Sequence, residues 1–165
     1  MQKHYIFFVI IAIGLSGIAG FFWMSSHDVY DSVPLNTKDV LAIKTHVMFG
    51  STTVSAEVMR TAKEHARGLS GRRTLSDGEG MLFVFSEPNQ HGFWMLDMHF
   101  AIDIIWLDAD LRVITIKEYA TPESYPDAFY PTSPAMYVLE VPGGYAQAQG
   151  IVVGSKATIE ERMDM

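Results

Sequence analysis

Apolar residues follow two different patterns along this chain. From Tyr5 to Met24 the sequence is apolar and carries no charged residue. About twenty such residues, at a helical rise of 1.5 Å each, span roughly 30 Å, the thickness of a bilayer's hydrocarbon core. From Val47 onward the apolar residues instead form short runs separated by turn residues, which is typical of strands. The pattern predicts a membrane anchor at residues 1–24, a polar linker at 25–38 and one domain at 39–165.

Charges on either side of the apolar segment predict its orientation. Lys3 precedes the segment, whereas Asp28 and Asp31 follow it. By the positive-inside rule, the N-terminus stays in the cytoplasm and the domain is exported, which places the protein in the cell membrane with a single pass. Two alternatives remain open: a signal peptide cleaved after Ala19, or a buried core helix. Trp23 favours the retained anchor, because tryptophan is enriched at membrane interfaces.

The domain reads as a succession of strands with short helices. Thr61 and Glu64 have the spacing of a capping box, so we expect a helix to begin there and to end at Gly68. A second short helix is expected around residues 145–149. Strands are expected at 47–49, 52–58, 81–85, 93–107, 112–119 and 135–141. The fold class is therefore α+β and strand-dominated, with a mostly antiparallel sheet or a partly closed barrel.

The composition limits which partners, disulfides and metal sites are expected. The formal net charge is −7, which is a poor match for nucleic acid or for anionic lipid headgroups, so no nucleic-acid partner is expected. The chain has no cysteine, and this excludes disulfides and thiolate zinc sites. The histidines show no spacing of metal ligands, and neither a metal nor another cofactor is predicted.

Several motifs, taken together, resemble domain-of-unknown-function family 192. They are Arg67-Gly68-Leu69, the run from Gly80 to Phe85, Phe93-Trp94-Met95, Asp103 after an apolar pair, and Val138-Leu139-Glu140. The resemblance covers about residues 47–160. It implies a prokaryotic domain that often follows a signal or anchor, and it implies no particular reaction. Relatives often carry a cysteine pair in the proline-rich segment; this chain has none, so a function that depends on those cysteines is not implied.

The segment from Phe93 to Leu107 offers the first candidate site. If it forms one strand, side chains alternate between two faces. Asp97, His99 and Asp103 then project together, and they are candidates for ligand binding, metal binding or acid–base chemistry. A segment this long favours a bulge or bend. The simpler interpretation is a solvent-facing surface on which Asp103 pairs with an arginine.

Two other groups of residues draw attention. Glu140 lies among strand apolars, and a buried carboxylate needs a partner, so Arg67 or Arg72 is expected to pair with it. The proline-rich segment 121–134 is irregular and aromatic, and Tyr125, Phe129 and Tyr130 suit stacking on sugar rings or docking to a protein. The alternative is that this segment folds back over the core.

The sequence thus favours a membrane-anchored, extracytoplasmic binding or accessory module over an enzyme. Its partners would be the membrane, through residues 5–24, and a membrane protein or envelope component. A hydrolase or metal-dependent enzyme acting on envelope material is the alternative, with Asp97, His99, Asp103 or Glu140 as its acid or base. A third possibility is a subunit of a membrane complex, since Gly14, Gly17 and Gly20 would permit close helix packing in a bilayer.

Overall fold

The computed structural model describes residues 43–160. They form nine strands, two short α-helices and one 3-10 helix at Pro122–Ser124. The strands and α-helices are β1 Lys44–Phe49, β2 Thr52–Met59, α1 Ala62–Arg67, β3 Glu79–Asn89, β4 Phe93–Trp94, β5 Ile102–Leu107, β6 Val113–Ala120, β7 Ala128–Phe129, β8 Ala135–Pro142, α2 Tyr145–Ala148 and β9 Thr158–Glu160. Within this range, no helix has the length and apolar character needed to cross a bilayer. The predicted anchor and linker lie outside the described residues.

Seven strands form one sheet in the order β6-β5-β8-β3-β2-β1-β9, and β4 pairs with β7 in a separate two-stranded sheet. All pairings in the large sheet are antiparallel except β2 with β3, which are parallel and are joined through α1. The prediction of a strand-dominated α+β fold with a mostly antiparallel sheet is confirmed. The partly closed barrel is not what the described residues form, because the sheet is open and ends at β6 and β9.

The first helix begins where the capping box predicts. Thr61 Oγ1 accepts the backbone N–H of Glu64, and the Glu64 carboxylate accepts the N–H of Thr61. The Glu64 carboxylate also accepts the backbone N–H of Arg60. The N–H groups of Arg60 and Thr61 hold the pKa of Glu64 below its ordinary value, because they stabilise the charged form. The helix ends at Gly68, whose φ of 47° suits a residue without a side chain.

Both faces of the large sheet are covered, so the core has two parts. The first face packs under α2 and the segment 151–157, with Leu82, Ile105 and Leu139 at its centre. The second face packs under His65 of α1, Leu69 just after the helix and the segment 93–100, with Phe83, Ile104 and Trp106 at its centre. Because alternate residues of β3, β5 and β8 serve opposite faces, these strands read as continuous apolar runs.

The predicted strand from Phe93 to Leu107 is wrong as a single element. It divides into β4 and β5, with a turn between them in which Asp97 has a φ of 54°. Met95 and Met98 from this turn are buried in the second-face core, while Trp94 is exposed. The alternation expected for an unbroken strand therefore fails before residue 102 and holds after it.

Candidate functional site

A small cavity lies on the second face, between the C-terminal end of α1 and the sheet. Its volume is about 110 Å³. The walls come from α1 and the residues after it, from β3, from β8 and from the segment 92–98, and they combine polar and apolar side chains. The lining residues are His65, Ala66, Arg67, Gly68, Leu69, Ser70, Phe83, Gly92, Phe93, Trp94, Met98 and Glu140.

Glu140 supplies the buried acidic group of this cavity. It lies in the centre of the sheet, paired with Met81 of β3 and Ile104 of β5, and alternation along β8 turns its side chain to the second face. The residue is 5% exposed, and among the described residues its Oε2 has no hydrogen-bond partner. Burial without compensating bonds raises the pKa of Glu140 to about 8, against a smaller opposing effect of Arg72.

Arg72 does not pair with Glu140 as the sequence suggested. Its Nη1 and Nη2 donate instead to the two carboxylate oxygens of Glu57, at 2.8 and 2.5 Å. This bidentate pair holds the pKa of Glu57 below its ordinary value, chiefly through the hydrogen bonds from Arg72. Arg67 lines the cavity and is exposed. Within residues 43–160, neither arginine forms an ion pair with Glu140, so that predicted pairing is wrong.

Three exposed aromatic side chains lie on the cavity wall or against a residue of that wall, and we call them the aromatic rim: Trp94, Tyr125 and Tyr130. They are 54%, 46% and 61% exposed. Trp94 and Tyr125 meet edge to face, with ring centroids 6.1 Å apart. The Tyr130 ring lies against Gly92, where a Cβ would come within 2.5 Å of it. Since Gly92 and Trp94 also line the cavity, the rim and the cavity form one site.

The rim exists because β4 pairs with β7. Phe93 lies opposite Phe129 and Trp94 lies opposite Ala128. This pairing brings the two regions that the sequence singled out, the segment after residue 93 and the proline-rich segment, into contact. Phe129 itself is not part of the rim: it is half-buried against the second-face core, with the Lys117 ammonium 4.9 Å from its ring centroid.

The predicted grouping of Asp97, His99 and Asp103 is wrong. Asp103 is fully buried on the first face, where Oδ1 accepts the backbone N–H groups of Tyr119 and Gly144 and Oδ2 accepts that of Ala146. Both of its oxygens are therefore used in holding α2 and the end of β6 against β5. Asp97 and His99 are exposed in the turn that packs on the second face.

Sequence reasoning missed the apolar residues of the cavity wall, above all Leu69, Phe83 and Met98. One signal was available for its acid, however. Glu140 interrupts a run of apolar residues in β8, and such a run indicates a strand buried on both faces. On that reading, its carboxyl had to be buried whether or not an arginine was near.

A larger hollow of about 620 Å³ lies on the first face, near Ile43 and Lys44. In the described range, the buried side-chain polar atom without a hydrogen-bond partner is Glu140 Oε2, and Glu140 does not line this hollow. Residues 43–160 also contain no group of three acidic, histidine or cysteine side chains able to hold a metal ion. The Glu140 cavity with its aromatic rim is therefore the stronger candidate.

Comparison with known proteins identifies relatives without adding a reaction. The family DUF192, described as "Uncharacterized ACR", matches residues 44–159. A solved structure from Sinorhizobium meliloti 1021, named a "putative transcription regulator", has a TM-score of 0.67 and 26% identity, over 72% of this chain and 95% of that chain. A protein of unknown function from Novosphingobium aromaticivorans DSM 12444 has a TM-score of 0.65 and 34% identity, over 70% and 84%. None of the curated proteins matches the chain.

Proposed function

Because the chain belongs to the DUF192 family, whose members are described only as uncharacterised, we propose a role from its site: a membrane-anchored binding module outside the cytoplasm that takes a glycan of the cell envelope on the aromatic rim. The observation that carries the proposal is the continuity of three exposed rings with a cavity that contains an unpartnered carboxyl group.

The membrane part of the proposal rests on sequence. The uncharged segment from Tyr5 to Met24 is long enough to span a bilayer, and the charges around it favour export of the domain. The short linker at 25–38 would keep the domain close to the membrane surface, among envelope components. A net charge of −7 disfavours nucleic acid as the ligand, despite the name of one structural relative.

The rim favours a sugar over a protein partner. Sugar rings present C–H faces that pack on aromatic rings and hydroxyl groups that bond to polar neighbours. The rim offers aromatic rings, and the exposed carboxylates Glu123 and Asp127 each lie two residues from Tyr125 in the chain. A stable protein interface usually buries about 800 Å² on each side around a contiguous apolar centre. Three partly exposed rings separated by polar residues are small for that purpose.

A fluorescence titration tests the proposal. Trp94 is half-exposed and Trp106 is fully buried, so a sugar stacking on Trp94 changes the emission of the exposed indole. We would titrate the full-length protein in mild detergent, carrying Trp23→Phe to remove a third signal, with soluble envelope glycan fragments and with β-1,4-linked hexasaccharides. We expect saturable binding that Tyr125→Ala and Tyr130→Ala each weaken about tenfold, equivalent to about 1.4 kcal/mol.

Tyr119→Ala is the matched control, because Tyr119 is an equally exposed tyrosine outside the rim, at 62%. It should leave binding unchanged. Equal losses in all three tyrosine variants, or no saturable binding of any glycan, would count against the proposal. If a membrane protein co-purifies in stoichiometric amounts and is lost with Tyr125→Ala, the rim is a protein-docking surface instead.

One observation favours a second candidate, a hydrolase acting on the same glycan. Glu57 and Glu140 occupy the same face in one cross-strand row, on either side of Met81, so their strands lie roughly 10 Å apart. Their pKa values are moved in opposite directions, by the Arg72 hydrogen bonds and by burial respectively. Inverting glycosidases pair a protonated acid with an ionised base about 6.5–9.5 Å apart.

Hydrolysis would need Glu140 to protonate the leaving oxygen while Glu57 accepts a proton from the attacking water. Glu57, however, is bound to Arg72 and is not among the residues that line the cavity, so binding is the leading proposal. Chromatography of a hexasaccharide after prolonged incubation decides between the two. Cleavage that both Glu140→Gln and Glu57→Gln abolish would establish the hydrolase.

A further inference from the structure

The first face of the large sheet carries the hollow of about 620 Å³ near Ile43, which the proposed glycan site does not use. Binding sites for small molecules generally measure about 300–1,000 Å³. Four of the five partly buried apolar residues that pack against the first-face core line this hollow: Val84, Leu111, Tyr137 and Ile159. Among the described residues, α2 and the segment 151–157 therefore leave this part of the sheet uncovered, with room for a ligand.

The charged side chains that line the hollow are both cationic. They belong to Lys44 and Arg60, and no acidic residue of the described range lines the hollow, although the formal net charge of the chain is −7. The Lys44 ammonium pairs with Glu79, with 3.8 Å between Nζ and Oε1. Within residues 43–160, Arg60 forms no ion pair, so its exposed guanidinium is available to an anion.

The strand register places Arg60 at one end of a row of apolar side chains. The strands β2 and β3 are parallel, and Met59 lies opposite Phe83. The next residues along each strand, Arg60 and Val84, are therefore neighbours, and both line the hollow. Val84 in turn lies opposite Tyr137 of β8. With strands about 4.8 Å apart, the row from Arg60 to Tyr137 is roughly 10 Å long.

This arrangement selects a ligand with two parts. A small anion without an apolar body would leave the apolar side chains in water, and a wholly apolar ligand would place nothing on Arg60. An amphiphile with a carboxylate or phosphate head satisfies both requirements, because a guanidinium group binds these anions with paired hydrogen bonds. One row of apolar side chains suits a single acyl chain better than the two chains of a phospholipid.

The position of the hollow brings it near the bilayer. Ile43 lies in its wall and is also where the described part of the chain begins. The segment 25–42 joins Ile43 to the proposed anchor, and a chain of this length reaches at most roughly 65 Å when fully extended. The negative charge of the whole chain disfavours contact with an anionic bilayer surface, whereas a single ligand needs only the local cation.

We propose that the first-face hollow binds a single-chain lipid anion drawn from the membrane, with its head group on Arg60 and its acyl chain along Val84 and Tyr137. This site is separate from the Glu140 cavity, which lies on the second face. The inference rests on the proposed membrane anchor for the source of the ligand, and it does not depend on glycan binding.

Photolabelling of the full-length protein in phosphatidylcholine vesicles tests the inference. Three probes share one alkyl chain with a diazirine at its middle: hexadecyl phosphate, hexadecanol and hexadecyltrimethylammonium. Mass spectrometry of the digested protein measures the labelling around Val84 and Tyr137, relative to the labelling of the anchor at residues 5–24. At sub-saturating probe, hexadecyl phosphate should label the hollow about tenfold more than the other two probes, because only its head group bonds to Arg60 as an ion pair.

Substitutions at residue 60 then test the role of the cation. Arg60→Gln should reduce labelling by hexadecyl phosphate to the level of hexadecanol. Arg60→Glu should reverse the preference, so that hexadecyltrimethylammonium labels the hollow most; a gain of labelling cannot come from a variant that fails to fold. Arg73→Glu is the matched control, because Arg73 is also exposed and does not line the hollow. It should leave the preference unchanged.

Each other result overturns a specific step. Equal labelling of the hollow by the three probes, or a preference for hexadecyl phosphate that persists in Arg60→Glu, refutes recognition of an anionic head. Labelling that appears only after residues 33–41 are replaced by Gly and Ser shows that the linker fills the hollow. An unlabelled hollow beside a labelled anchor refutes the lipid site and leaves the membrane anchor intact. If the anchor also stays unlabelled, the proposed membrane anchor fails together with the lipid site.

Discussion

Replacing Glu140 with glutamine should make the protein more stable, and the gain should depend on pH. In the folded protein, burial raises the pKa of Glu140 to about 8, whereas the ordinary value of 4.5 applies after unfolding. Between these values the folded state binds a proton that the unfolded state has lost. The stabilisation that this bound proton gives the folded state is therefore fully present below pH 4.5, decreases as the pH rises from 4.5 to about 8, and is gone above pH 8.

The size of the effect follows from the same two values. At about 1.4 kcal/mol for each pH unit, the interval from 4.5 to about 8 corresponds to about 5 kcal/mol. This is an upper limit, because water entering the cavity would reduce the cost of the charged form. Domains of this size are stable by only about 5–15 kcal/mol. The charge on one buried carboxyl is therefore a large fraction of the total.

Urea unfolding from pH 4 to pH 9, followed by tryptophan fluorescence in mild detergent, measures the effect. Glu140→Gln cannot ionise, so its unfolding free energy should equal that of the unmodified protein within about 1 kcal/mol at pH 4. At pH 8.5 it should exceed it by about 3–5 kcal/mol. Taking the difference between the two proteins cancels the contributions of all other titrating groups.

Glu118→Gln is the control, because this carboxylate is exposed. Its replacement should leave the unfolding free energy unchanged at both pH 4 and pH 8.5. Two results would refute the reasoning. If the two unfolding curves run parallel from pH 4 to pH 9, Glu140 titrates as an ordinary carboxylate and is not desolvated. If Glu140→Gln is the less stable protein at pH 8.5, the ionised carboxylate has a favourable partner in the fold.

Three further substitutions test other parts of the structure. Asp103→Asn should lower the unfolding free energy by about 2–4 kcal/mol in thermal or urea unfolding. The amide nitrogen cannot accept the N–H bonded at the oxygen that it replaces, and the neutral amide oxygen accepts the remaining bonds more weakly than a carboxylate does. A loss below 1 kcal/mol would contradict this. Arg72→Leu should lower the unfolding free energy by about 2 kcal/mol at pH 7. Because the pKa of Glu57 is lowered in the folded state, that loss should shrink as the pH falls below 4.5; a loss independent of pH would mean that the pair contributes nothing as an ion pair. Gly92→Ala should displace the Tyr130 ring and weaken hexasaccharide binding several-fold, with stability changed by less than about 1 kcal/mol. Unchanged affinity would show that Tyr130 does not contact the sugar.

Local signals in the sequence determined most of the elements. The capping box predicted α1 to within one residue at each end, since its hydrogen bonds involve neighbours only. Apolar runs and turn residues predicted β1, β2, β3, β6 and β8. Burial on one face of a sheet imposes a repeat of two, burial on both faces gives a continuous apolar run, and a short window of sequence reveals either. The motifs that resemble family 192 then identified the family that matches residues 44–159.

Local signals failed where the partner of a residue is distant in the chain. The turn from Met95 to Ala101 has strand-like composition, and only its packing on the second-face core breaks the alternation. Asp103 looked like an exposed acid, but its three N–H donors come from β6 and from the N-terminal end of α2. Nothing in the residues next to Asp103 indicates those donors.

The candidate site shows the same division between what the local sequence determines and what the tertiary structure decides. The sequence alone singled out residues 93–107, for the Asp and His side chains expected on one strand face, and residues 121–134, for their prolines and aromatic side chains. Only the tertiary structure decided that β4 pairs with β7, that Arg72 takes Glu57 as its partner, and that Glu140 is left without one above a small cavity. The physical reason is that hydrogen-bond partners and buried volume depend on contacts between distant segments, whereas the tendency to form a strand or helix depends on neighbours.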